Sequence, residues 1–154
     1  MAFHQLCVHL VWTTFERNLL ITEAFEERLW ALIVAQVRKV GATPMQVGGM
    51  PDHVHLLAAF PPALAIARLV ADAKGASSFA MTHEFAPGRP FRWQEGYGAF
   101  TLRKGDVASV ARYVANQKQH HASRRLSDLL EHAACPSRPR PGWLQWPGRS
   151  GPGP

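Results

Sequence analysis

Cysteine is scarce in this chain: Cys7 and Cys135 are the only two in 154 residues, too few and too far apart for a disulfide framework or a four-ligand zinc site. A reducing cytosol is the expected setting. No apolar run approaches the roughly 18 residues that cross a bilayer, and the N-terminus lacks the basic stretch, apolar stretch and cleavage site of a signal peptide. Neither a membrane protein nor a secreted one is expected. Internal repeats are missing too, as is any glycine-rich loop of the kind that cradles nucleotide phosphates. Charged residues make up only 18% of the chain against 47% hydrophobic, which suits one buried core in a chain too short for two full-sized domains. The charge present is unevenly placed. Residues 1–88 carry six Lys/Arg and seven Asp/Glu, whereas 89–125 carry eight and two, so the excess behind the net +6 sits in one middle segment. Such a patch suits a polyanion such as nucleic acid.

The first apolar segment, residues 4–12, is short and rich in β-branched and aromatic types, which predicts a strand. From Thr22, an expected N-cap, Phe25, Leu29, Leu32, Ile33, Val37 and Val40 recur at helical spacing up to Gly41, a residue suited to ending a helix. Residues 43–50 and 53–60, separated by the turn formers Pro51 and Asp52, read as a hairpin. A second helix is predicted from Leu64 to about His83, then a turn-rich stretch over 86–98, a strand over 99–103, and a last helix from an N-capping Asp106 to about His121. This order is that of a ferredoxin-like α+β sandwich, an antiparallel sheet with helices on one face. Six of the 12 prolines and four of the 12 glycines fall in 136–154. The expected division is therefore a folded unit over 1–135 and a disordered tail over 136–154 containing Trp143 and Trp146.

His53 and His55 are two apart on a predicted strand, so both imidazoles point to one face while Val54 points to the other. Two neutral imidazoles so placed can share a divalent metal. Alone the pair is weak, because eight histidines give on the order of 0.4 such pairs by chance. Tyr113 and Gln117 are four apart on the last predicted helix and form a stripe with His120. This stripe lies beside an apolar face of Val107, Val110, Ala111 and Val114. Gln117 offers an amide oxygen as a third ligand, and the mixed set is compatible with Mg²⁺ or Mn²⁺. Such an ion would polarise a phosphodiester under attack by the Tyr113 hydroxyl.

The strings GMPDHVHLLAAF, WQEGYGAFTLR and YVANQKQHH, in that order, closely resemble the single-tyrosine HUH transposases of bacterial insertion sequences and the related repeat-associated tyrosine transposases. HLVWTTFERNLL and DAKGASSFAMTHEF are similar to the same family. The resemblance spans roughly residues 4–130. It implies an HUH endonuclease fold with a C-terminal helix carrying the tyrosine, His53 and His55 as the metal pair, Gln117 as third ligand and Tyr113 as nucleophile. It also implies cleavage of single-stranded DNA beside a subterminal hairpin through a 5′-phosphotyrosine, in a homodimer whose composite sites take the tyrosine helix in trans; Gly96, Gly98 and Gly105 around the final strand would equally serve a monomer with the helix folded back in cis. The chain departs from the family beyond the paired His120 and His121, where the proline-rich tail replaces further helical residues.

Arg89, Arg92, Arg103, Lys104 and Lys118 are candidates to track DNA phosphates, Lys74 is a further one, and Phe91 and Trp93 are candidates to stack on bases. For Trp93 and Tyr97 the favoured use is packing of the turn between helix and strand. Three other readings are a domesticated enzyme acting on dispersed palindromes, a hairpin-binding regulator without catalysis, and a metal hydrolase. The last lacks any further carboxylate or histidine motif. The expected location is cytoplasmic, on the nucleoid when DNA is bound.

Overall fold

A computed structural model describes residues 3–122. The elements run β1 (Cys7–Thr13), α1 (Glu26–Lys39), β2 (Thr43–Met50), β3 (His53–Ala59), α2 (Ile66–Ala80), β4 (Gly98–Leu102), α3 (Val107–Ala115) and α4 (Gln117–Ala122). The strands form one antiparallel sheet in the order β2-β3-β1-β4, which is the expected ferredoxin-like arrangement. β1 is buried along its whole length, because it lies between two strands and is covered on both faces. Its sequence accordingly places apolar residues on both faces, with His9 and Thr13 buried among them.

Alternation sorts the side chains of the sheet into two layers. Val8, Leu10 and Trp12 of β1, with Val54, Leu56 and Ala58 of β3, meet Leu29, Ile33 and Val37 of α1 and Leu69 and Val70 of α2 in the main core. On the opposite face α3 lays Val110 and Val114 on Leu57. The two crossover helices thus share one face, and the tyrosine-bearing helix takes the other. Gly48 makes this second seat possible: a Cβ at that position would overlap the Val114 carbonyl oxygen.

Several boundaries differ from the sequence expectation. α1 begins at Glu26 with no side-chain cap, since Thr22 contributes only its carbonyl, which accepts the Phe25 and Glu26 amides at 3.2 and 3.0 Å. Asp106 likewise does not cap α3; its carboxylate accepts a hydrogen bond from Arg103 Nε at 3.0 Å. α2 opens after Ala80 into a wider π turn over Met81–Phe85. The predicted last helix is broken at Asn116, which has φ −104° and ψ 24°. Asparagine competes for local backbone partners and favours helix ends. Cys135, the boundary at 135/136 and the tail with its tryptophans lie outside the described residues.

Candidate active site

The pleat of β3 places His53 and His55 on the face covered by α3, as their spacing predicts, with exposures of 1% and 0%. Their ring centroids are 5.0 Å apart and the planes cross at 75°. Each ring is held through Nδ1. His53 Nδ1 lies 2.6 Å from Asp52 Oδ1, and His55 Nδ1 lies 3.0 Å from Nε2 of His9, a fully buried residue on β1.

Asp52 occupies the tight turn between β2 and β3, and its other oxygen accepts a hydrogen bond from Arg17 Nε at 2.9 Å. Burial works to raise the Asp52 pKa, but the hydrogen bonds and charges of His53 and Arg17 outweigh it and hold the carboxyl at about 2. Arg17 reaches Asp52 from a turn in which Glu16 and Arg17 both adopt left-handed backbone, φ 52° and 55°, at a cost of roughly 1–2 kcal/mol per residue. Neighbouring segments hold that turn in place. The Phe15 amide donates to the Arg92 carbonyl at 2.9 Å, and the Glu16 amide donates to Gln94 Oε1 at 3.1 Å.

Tyr113 is buried on α3, its ring edge-on to His55 with centroids 6.0 Å apart and planes at 82°. Gln117 stands beyond the break, at the start of α4. It is 2% exposed, and neither its amide oxygen nor its amide nitrogen has a hydrogen-bond partner among the described residues. It lines a cleft with Gly48 and Gly49, and Gly48 is the register partner of His55. A buried amide left this way is costly, on the order of 1–3 kcal/mol, and marks a place where a further ligand fits. Among the described residues no three His, Cys, Asp or Glu side chains form a metal-binding group. Two imidazoles and an amide oxygen are a donor set that would suit Mg²⁺ or Mn²⁺, and the cleft lined by Gln117 takes in Gly48 and Val114 rather than either histidine.

The expected DNA contacts divide. Arg89 and Arg92 are exposed, and Arg92 lies at the His53 end of the sheet because its backbone is bonded to the β1 end. Its guanidinium sits 4.5 Å above the Phe15 ring. Arg103 and Lys104 are exposed as well, but they follow Leu102, which pairs with Cys7 at the opposite end of β1 from Thr13 and His53. Lys118 pairs with Glu26 at 2.6 Å, which ties α4 to the start of α1. Lys74 is turned toward the loop before β4, donating to the Gln94 carbonyl at 2.8 Å and to the Gly96 carbonyl. Burial pushes its pKa down to about 8, against the pull of Glu95.

Trp93 and Phe91 do not present stacking surfaces. Both are buried, Trp93 stands edge-on to Trp12, and its Nε1 donates to Ser77 Oγ at 2.9 Å. An indole this large stays in the core once its N–H is satisfied. Ser77→Ala would strand that donor, so a stability loss of about 1–3 kcal/mol is expected in chemical denaturation. The side chains of His120 and His121 lie outside the described residues. The sequence reading passed over His9, Arg17 and Asp52. Alternation along β1 could have placed His9 on the face shared with His55, and Asp52 directly precedes the histidine pair.

No curated protein is significantly similar to the chain. Among solved structures, one from Deinococcus radiodurans R1, assigned as a transposase, superposes with a TM-score of 0.59 at 24% identity, covering 75% of this chain and 93% of that one. A REP-associated tyrosine transposase bound to a REP hairpin superposes with a TM-score of 0.58 at 12% identity, covering 79% and 72%. These likenesses establish the fold. No helix among the described residues is long and apolar enough to cross a membrane. The profile of the family described as "Transposase IS200 like" matches residues 2–117, from before β1 to the start of α4, and the chain belongs to that family.

Proposed function

We propose that this transposase cleaves and rejoins single-stranded DNA beside a hairpin through a phosphotyrosine on Tyr113. The observation that carries the reading is the Tyr113 ring set against His55 within one chain. His53, His55 and Gln117 would hold Mg²⁺ or Mn²⁺, and the ion would supply polarisation of the scissile phosphate and charge stabilisation for the departing oxygen. Tyr113 supplies the nucleophile. As its oxygen bonds to phosphorus the P–O3′ bond breaks, the phenol proton passes to solvent, and the 3′ oxygen leaves as a hydroxyl. The unperturbed tyrosine pKa of about 10 makes that proton loss part of the attack. The new phosphodiester on Tyr113 retains the bond energy, so a 3′ hydroxyl can reverse the step without a nucleotide cofactor. Exposed Arg92 at the His53 end and exposed Arg89 three residues before it would take backbone phosphates.

A labelled hairpin oligonucleotide incubated with the chain and Mg²⁺ should yield a covalent adduct that excess chelator abolishes and duplex DNA does not form. Cleavage without an adduct would point to hydrolysis, and hairpin binding without cleavage to a regulator. The likeness to a hairpin-bound repeat-associated transposase supports a domesticated substrate as the second reading, tested by offering palindromes from dispersed genomic repeats.

Within one chain α3 seats Tyr113 on the His55 of the same chain, which gives each chain a complete site, whereas the family resemblance implies a homodimer that shares composite sites. Mixing His53→Ala with Tyr113→Phe, with subunit exchange verified, should restore no cleavage under the first arrangement. Recovery would establish a homodimer with composite sites.

A further inference from the structure

We propose that His9 is a positioning residue that sets the tautomer of His55 and thereby makes its Nε2 a ligand; the inference rests on the reading of His55 as a metal-binding residue. His9 Nε2 and His55 Nδ1 are 3.0 Å apart, with ring planes 6° apart and centroids 5.1 Å apart. That separation is too long for a face-to-face stack and fits two imidazoles joined edge to edge by one hydrogen bond. Two neutral rings place a single proton on that line. If His9 donates it, the other proton of His55 sits on Nε2 and blocks coordination there. If His55 donates from Nδ1, its Nε2 carries a lone pair toward the face where Tyr113 lies. Only the second arrangement makes His55 a ligand through Nε2, so His9 acts as the acceptor and carries its own proton on Nδ1.

The packing around His9 keeps it in this role. The residue is fully buried, paired in register with Leu57 on one side and Phe100 on the other, and its ring lies 6.0 Å from that of Phe100. Burial removes water as a competing partner for His55 Nδ1. His53 is served differently, by the Asp52 carboxylate, which can only accept when ionised. The two rings are thus held by one charged and one neutral acceptor. A neutral acceptor for His55 spares the buried face a second negative charge, whose desolvation would be costly.

His9→Phe keeps a flat ring beside Phe100 and removes the acceptor, whereas His9→Gln restores one as a side-chain carbonyl. Nitrogen-resolved NMR of the metal-free chain should find the His55 proton on Nδ1 in the wild type and in His9→Gln, and shifted toward Nε2 in His9→Phe. Mn²⁺ titration followed by electron paramagnetic resonance should show affinity lowered about 10–100-fold in His9→Phe and largely regained in His9→Gln. A His55 proton on Nε2 in the wild type would overturn the inference. So would wild-type Mn²⁺ affinity in a folded His9→Phe. A wild-type chain that binds no Mn²⁺ but shows the Nδ1 tautomer would instead overturn the metal reading and leave the His9 role standing.

Discussion

Tyr113→Phe should eliminate covalent capture of DNA while hairpin binding and the melting temperature stay close to wild type. The ring is buried and makes an edge-on contact with His55, and phenylalanine keeps that contact and the seat of α3 on the sheet. What it loses is the hydroxyl that the proposed reading assigns to attack on phosphorus. Removing a nucleophile that acts as a unit with its activating groups costs on the order of 10⁴–10⁶-fold in turnover. Denaturing gels would show free substrate at every time point, with the shifted band of the non-covalent complex intact on native gels. An adduct persisting in this variant would take Tyr113 out of the chemistry.

Gly48→Ala should be more damaging than its single methyl suggests, because the added carbon meets a backbone atom. The nearest neighbour is the Val114 carbonyl oxygen, part of α3, and it cannot rotate aside as a side chain would. Either β2 or the end of α3 must shift. Overpacking of this kind costs about 1–3 kcal/mol, and the shift would be shared by Tyr113, one residue before Val114. A displacement near 1 Å at the nucleophile can reduce turnover on the order of 100-fold. The expected result is a folded chain with a lowered melting temperature and cleavage reduced by about that factor. Wild-type cleavage in this variant would show that the α3 seat is not what positions Tyr113.

The sheet and its two crossover helices were legible in the sequence because their signals are local. Helical spacing from Phe25 to Val40, the Pro51-Asp52 turn and the alternation of His53, Val54 and His55 each report on neighbours a few residues away. The break at Asn116 was hidden, since Tyr113 and Gln117 fit an unbroken helix as well as two short ones. Packing of Trp93 into the turn was legible, but its partners Trp12 and Ser77 were not, because they are distant in the chain. Lys74 follows the same logic, being committed to carbonyls twenty or more residues away. At the site, the histidine pair could be read directly. For the residues that orient it the signal was partial: alternation along β1 gives His9 a face and Asp52 adjoins His53, but the contacts that join His9 to His55 across 46 positions and Arg17 to Asp52 across 35 leave no local pattern.

The borders of the sheet bear on how this chain behaves when crowded. β2 forms one border, and it carries Pro44, which has no amide hydrogen to offer, next to a register shift between Pro44 and Gln46. Proline and a bulge are two of the devices by which natural edge strands resist being extended by another chain. β4 forms the other border and is only five residues long, a template too short for stable strand addition. A protein that gathers on nucleic acid through a basic segment is brought to high local concentration, the condition under which exposed strands seed aggregates. With both borders blunted, the sheet offers little for a second copy's strand to extend.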